Sequence, residues 1–294
     1  MNESKMIHAL SAIHGTRPFA ADGEIFGDMI FTMDSFSPDE DFFNFTPPNM
    51  IGHNMAAAVI SDLLACGIKG EFLINSWNID SALPQSFYEE CACGIEKVLR
   101  HYGLSCIGGD LGSASPWLWS ATAGGKITIP APVRRIASAK VPFDLYATGS
   151  FGDANHAAFF KRPMPKIELR PPVPQEALFA TDSSGGFLDA IENFRRVNPD
   201  LTLRLEYFPI AAAEQLSFPK EFLLIGGVGE YELLYALPQG MKSSDILIGH
   251  GDFSGSGVIL PNGKPLTQAP PDYRETPPEK WLEETENFYR EFFL

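Results

Sequence analysis

The stretch from Gly52 to Lys69, GHNMAAAVISDLLACGIK, is apolar enough for a buried helix yet carries a carboxylate inside it. At about 3.6 residues per turn, Met55, Val59, Ile60, Leu63, Leu64 and Cys66 cover more than half of the helix surface, and Asn54, Ala57, Ala58, Ser61 and Ala65 form a narrow small-residue side. Asp62 falls at the seam between the two. Burying a bare carboxylate costs several kcal/mol or neutralises it, so Asp62 must be paired, capped or metal-bound. Gly67 follows as a left-handed terminator.

A second acidic position comes at Cys106-Ile107-Gly108-Gly109-Asp110-Leu111-Gly112. Ser105 to Ile107 reads as a short strand, the glycines let the backbone turn or be approached closely, and Asp110 is placed at the tip. Asp34 ends the strand-like run MIFTMD in the same way. With Asp62 these form a set of carboxylates at element ends or in a helix, the kind of set that collects Mg²⁺.

The formal net charge of -15 excludes binding of nucleic acid or anionic membrane through a general field, and leaves room only for a local basic pocket. No basic segment leads into an apolar stretch near the start, and nothing approaches about 18 continuous apolar residues, so the chain is expected to be soluble and cytoplasmic. Cys66, Cys91, Cys93 and Cys106 lack the C-x-x-C spacing of most zinc or redox sites and are read as reduced thiols.

Along the chain, a short helix is expected from Lys5 to Ile13 and a strand from Met29 to Met33. A loop with Asp39, Glu40, Asp41 and three phenylalanines follows, suited to a lid or interface. Glu71 to Asn78 alternates as a strand, Gln85 to Tyr102 is an amphipathic helix closed by Gly103, and Trp117 to Gly124 is a further strand. This order predicts a mixed α/β layer. The texture changes between residues 130 and 145, at Pro130-Ala-Pro-Val-Arg134-Arg135, and two domains are expected, 1–135 and 136–294. In the second, Ala177 to Thr181 runs into Asp182-Ser183-Ser184-Gly185-Gly186 and a helix from Phe187 to Arg196. A strand, a Ser/Gly turn and a helix start can cradle a phosphate, and the same pattern also ends ordinary βα units. Strands are read at Leu203 to Phe208, Glu221 to Ile225 and Tyr231 to Ala236, with a short helix at Ala211 to Gln215 and a terminal amphipathic helix from Pro278.

Taken in order, MIFTMDSF, HNMAAAVISDLLACGI, YGLSCIGGDL, LYATGSFGDA, ALFATDSSGGFLDAI and GGVGEYELLYAL resemble thiamine-monophosphate kinase. They also resemble its wider superfamily of aminoimidazole-ribonucleotide synthetase, selenophosphate synthetase and the HypE hydrogenase-maturation protein. The resemblance covers roughly Met29 to Leu237. It implies a PurM/ThiL-like fold: an α/β amino-terminal domain whose mixed sheet dimerises, and an α+β carboxy-terminal domain that completes the nucleotide site. It also implies ATP bound with Mg²⁺, a small-molecule phosphoryl acceptor and a homodimer. By position, Asp34, Asp62, Asp110 and Asp182 would be metal residues; Gly109, Asp110, Arg135, Asp182 and Ser184 would hold nucleotide; Asp41 and Glu230 would face substrate.

The departures are specific. The family's early G-D-D-A has no adjacent acidic pair here, and Thr16-Arg17 stands at the expected distance. The histidine after T-T-D is replaced by Asp41, D-x-S-D-G loses its second aspartate to Gly185, and the acid of G-G-E-D shifts to Glu230. Three activities remain open at this point. They are an ATP- and Mg²⁺-dependent phosphotransferase with an acceptor other than thiamine phosphate, a catalytically degenerate nucleotide-binding homologue, and thiamine-monophosphate kinase itself.

Overall fold

The computed structural model describes residues 3–16, 18–211, 218–271, 276 and 278–294. Arg17 and nearly all of the helix expected at Ala211 to Gln215 lie outside the described residues.

Two sheets carry the fold. The first contains β1 (Glu24–Phe26), β2 (Met29–Phe36), β3 (Phe72–Ile79), β4 (Ser105–Ser113) and β5 (Leu118–Lys126), in the order β1-β2-β5-β3-β4. Here β3 and β4 run parallel, and the other pairs are antiparallel. The second contains β6 (Phe143–Ala147), β7 (Phe179–Asp182), β8 (Thr202–Leu205), β9 (Leu233–Pro238), β10 (Ile246–Asp252), β11 (Gly257–Ile259) and β12 (Pro265–Leu266), in the order β12-β11-β8-β10-β6-β9-β7. The helices are α1 (Glu3–His14), α2 (Pro48–Ala65), α3 (Gln85–Tyr102), α4 (Asp153–Phe159), α5 (Phe187–Val197) and α6 (Pro278–Phe292). Among the described residues, none is long and apolar enough to cross a membrane.

The apolar run around Asp62 is α2, and its buried surface goes all the way round. Every residue from Ile51 to Ser61 is buried, because α2 packs on β2 and β5 of the first sheet and on β7 and β9 of the second. A helix seen by two sheets needs no polar face, which is why its narrow small-residue side is as buried as its broad apolar one. It starts earlier than Gly52, at Pro48, where a missing N–H costs nothing. Its crossing with α3 is close: a Cβ on Gly52 would lie 1.8 Å from the Cys91 carbonyl oxygen, and one on Gly94 would lie 2.1 Å from that of Asn49.

α3 matches its expected span, with Gly103 left-handed at φ 77°. Three departures from expectation bear on the fold. β4 runs on through Gly108, Gly109 and Asp110 to Ser113, because pairing with β3 outweighs the poor strand propensity of glycine. Asp110 is therefore mid-strand, opposite Ser76, and not at a tip. The expected strand at Glu221 to Ile225 is instead a 3-10 turn, Lys220–Leu224, entered from Pro219. α4 is an additional helix, since GDANHAAF is too short for a helical period to register. α6 docks on the second sheet's core, burying Phe288, Tyr289 and Phe292.

Candidate active site

Three carboxylates from distant parts of the chain meet beside α2. Asp22, Asp62 and Asp182 each offer an oxygen, all within 4.8 Å of one another. Asp62 comes from the last turns of α2 and accepts a hydrogen bond from Thr32 Oγ1 on β2. Asp182 ends β7; it accepts from Ser61 Oγ at 2.6 Å and from the Ser184 amide at 3.3 Å. Asp22 precedes β1 and is clamped from the second half of the chain, its Oδ1 accepting from Arg135 Nη2 at 2.6 Å and Thr181 Oγ1 at 3.0 Å.

Arg135 supplies one positive charge against these carboxylates and the nearby Asp34. Burial raises the Asp34 carboxyl to about 6, aided by the charge of Asp22. Burial, again with Asp22, raises Asp182 to about 7. Asp62 is pushed well above the usual carboxylate range by burial first and then by Asp34, Asp182 and Asp22. Among the described residues such a set is under-compensated. Its donors are hard oxygens with no thiolate or imidazole among them, the chemistry that suits Mg²⁺.

In front of the cluster lies a cleft of about 920 Å³ between the two sheets. Asp34 and Asp41 line it from the first sheet's side, and Arg135, Ser184 and Glu230 from the second's. Asp41 accepts from the Ser37 amide at 2.7 Å, which folds its loop back over the cleft. Glu230 accepts from the Gly152 and Ala154 amides at 2.8 and 2.9 Å, but burial still raises it to about 7, and its second oxygen has no partner. The next residue, Tyr231, is held left-handed at φ 58°, a strained conformation for an aromatic residue. Behind it, Glu232 forms a two-point pair with Arg170 at 2.5 and 2.7 Å, so this arginine's charge is already spoken for.

Of the residues singled out from the sequence, the fold brings Asp34, Asp62, Asp182, Arg135, Ser184, Asp41 and Glu230 to one region. Gly109 and Asp110 stay apart from it within a single chain. They sit on the edge strand β4, exposed, and do not line the cleft.

Two further acids join the site without standing out in the sequence. Asp22 takes up the early carboxylate position that seemed vacant; the signal is AADG just before β1, masked because the family pattern has two adjacent acids there. Asp189, in the first turn of α5, lines the cleft where Gly185 leaves room. A Cβ on Gly185 would lie 2.4 Å from Asp189 Oδ2, so the carboxylate fills the space that a side chain at 185 would occupy.

The profile of the AIR synthase related protein, N-terminal domain, matches residues 22–127. A thiamine-monophosphate kinase of Archaeoglobus fulgidus is 24% identical over 249 residues, covering 79% of this chain and 80% of the relative. The crystal structure of thiamine monophosphate kinase from Aquifex aeolicus superposes with a TM-score of 0.73 at 18% identity, covering 90% of this chain and 99% of that one. The HypE-HypF complex gives a chain with a TM-score of 0.70 at 15% identity, covering 90% and 99%. The chain thus has a PurM/ThiL-like fold, carries an AIR synthase related N-terminal domain over residues 22–127, and is similar to thiamine-monophosphate kinases.

Proposed function

We propose that the protein is an ATP- and Mg²⁺-dependent phosphotransferase of the cytoplasm, acting on a small-molecule acceptor other than thiamine phosphate. The observation that carries this is the trio Asp22, Asp62 and Asp182, within 4.8 Å, of which Asp22 is paired with Arg135. The loss of acids from the family pattern is the ground for a degenerate homologue. Asp22 and Asp189 weaken that ground, since they return carboxylates to the space the lost ones left. A solved relative described as AaThiL complexed with AMPPCP and TMP, with a TM-score of 0.77, supports an ATP-shaped ligand in this fold.

Asp22, Asp62, Asp182 and, at the cleft wall, Asp34 are the residues we assign to Mg²⁺. When bound, Mg²⁺ spreads the charge that develops on a transferring phosphoryl group. The turn before α5 places Ser184 and Gly185 beside a helix start, whose first-turn N–H groups suit phosphate oxygens, while the Ser184 amide itself is turned to Asp182. Arg135, anchored by Asp22, adds a fixed positive charge beside them. At the far wall, Glu40, Asp41 and Glu230 face the acceptor, while Glu232 is already neutralised by Arg170. A phosphate monoester is repelled there unless a cation intervenes, which argues against thiamine phosphate.

The test is an assay of ADP formation with ATP and Mg²⁺, with and without thiamine phosphate, beside direct measurement of ATP binding. Mg²⁺-dependent ATP binding with weak or no conversion of thiamine phosphate is expected. Turnover of thiamine phosphate at about 1 per second or faster would make the protein a thiamine-monophosphate kinase. ATP binding with no ADP formation under any condition would leave the catalytically degenerate nucleotide-binding homologue, and absence of Mg²⁺-dependent ATP binding would overturn the proposal.

We also propose that residues 1–135 and 136–294 act as the two domains of a homodimer joined through the first sheet. The sheet face turned away from α2 carries the row Met33, Thr122 and Ile74, with Met33 and Ile74 67% and 42% exposed. The parallel row two residues on is Ser35, Ser120, Ser76 and Asp110. Asp110 thus lies on the proposed interface, and any nucleotide or metal role of Gly109 and Asp110 is exercised across it. Light scattering at micromolar concentration should give twice the 32.3 kDa chain mass; a strict monomer would remove the interface and that role with it.

A further inference from the structure

Away from the carboxylate cleft, a second cavity of about 380 Å³ opens where the start of α2 crosses α3. Its charged and polar lining is Asn49, His53, Lys97, His101 and Lys166, with no carboxylate among the lining residues. In a chain of net charge -15, two lysines and two imidazole donors around one cavity are an unusual concentration of anion-binding side chains. Lys97 and His101 stand four residues apart on α3 and so share one edge of that helix. The close crossing at Gly94 brings the Asn49 end of α2 against them.

Lys166 comes from a third segment, held on both sides. Asn54 Nδ2 donates to the Pro165 carbonyl at 2.8 Å, and the Ile167 amide donates to Asn54 Oδ1 at 3.0 Å. The His53 Nε2–H donates to the Ile167 carbonyl at 2.8 Å. The backbone that carries Lys166 is therefore fixed against α2 before any ligand arrives, which lowers the ordering cost of binding. The first turn of α2 has no acidic residue and its cap, Pro47, brings no side-chain acceptor. Nearby negative charge is limited: Glu168 acts on His53 from the larger cleft's side, opposed by Lys166 and Lys97. Glu96 on α3 is taken up by Arg100 at 2.7 Å.

From this convergence of two lysines and two imidazoles on a helix start, we propose that the cavity is a binding site for a small phosphate-type dianion, separate from the carboxylate cleft. The two share one residue, Lys166, which lines both. A dianion here would sit one side chain away from the larger cleft. The ligand chemistry is that of free phosphate or of a small phosphate ester, since the volume admits either.

The test uses the full chain without nucleotide. The imidazole C–H signal of His101, assigned by its loss in His101→Gln, is followed by NMR during titration with inorganic phosphate and, separately, with glycerol phosphate. A saturable shift is expected with at least one of them, and tighter binding of one names the source. Lys97→Glu, a surface change, should weaken that affinity by about tenfold or more, as reversal of a contacting charge does. Lys166→Ala should weaken it too, while Asp34→Asn in the larger cleft should leave it unchanged. An equal shift with chloride at matched ionic strength, no saturation, or undiminished affinity in Lys97→Glu would overturn the proposal.

Discussion

Asp62→Asn is expected to make the metal-free protein more stable while removing its Mg²⁺-dependent affinity for ATP. The amide keeps an acceptor for Thr32 Oγ1 but withdraws one charge from a group in which Asp22, Asp62 and Asp182 lie within 4.8 Å. The sign follows from linkage. Asp34 and Asp182 hold protons in the folded state up to about 6 and about 7, whereas unfolded aspartates release theirs near about 4. Between those limits the unfolded chain binds fewer protons, so stability of the metal-free protein falls as pH rises from about 4 toward 7. Mg²⁺ should reverse that loss, and Asp62→Asn should flatten it. At pH 8 without metal the variant should melt higher, by roughly 2–4 °C for each kcal/mol of relieved repulsion. Its Mg²⁺-dependent ATP affinity should drop by about 100-fold, the upper end of what loss of even an outer-shell partner of a metal ligand costs. Thermal melts across pH with and without Mg²⁺, with ATP titrations, check both halves. A variant that melts lower than the parent and binds ATP equally well would make Asp62 a structural acceptor for Thr32 and nothing more.

Arg135→Met should have the opposite character. The Arg135 and Asp22 side chains are 14% and 1% exposed, and their contact at 2.6 Å is the direct compensation Asp22 receives. Removing one partner of a buried pair leaves an unpaired charge, at a cost of about 3–5 kcal/mol. Here the stranded carboxylate would also face Asp62 and Asp182, so the cost should sit at the upper end and lessen when Mg²⁺ is added. Adding Asp22→Asn to Arg135→Met should recover most of the loss, because the charge that needed a partner is gone. Denaturant unfolding of the two single variants and the double variant measures this. If the double variant is no more stable than Arg135→Met, the arginine holds the fold by packing and not by charge.

Much of this arrangement is legible in the chain. Asp62 is conspicuous because a carboxylate inside an apolar helix must be answered by something, and α3 is marked by its period and by Gly103. The rest depends on pairing that no local pattern records. Asp22 meets Arg135 and Thr181 across more than a hundred residues, and before β1 it looks like any acid in a turn. The glycines of β4 read as the end of a strand, and only the neighbouring β3 carries them onward. Asp189 gives no local sign because its importance comes from the absence of a side chain at Gly185. The loop bearing Asp41 reads as a lid or interface from its acids and aromatics, and the fold sets it beside the cleft while also using Asp41 as an acceptor for the Ser37 amide.

The position of α2 bears on how a ligand could be enclosed. A helix packed on β2 and β5 along one side and on β7 and β9 along another is shared by both sheets. Ser61 and Asn54 tie it further to Asp182 and to the segment around Pro165. Swinging the sheets apart about a hinge would strip this helix on one side, so rigid-body opening of the cleft carries the cost of exposing its buried apolar surface. Short surface segments move at lower cost, and the one bearing Asp41 already lies along the cleft.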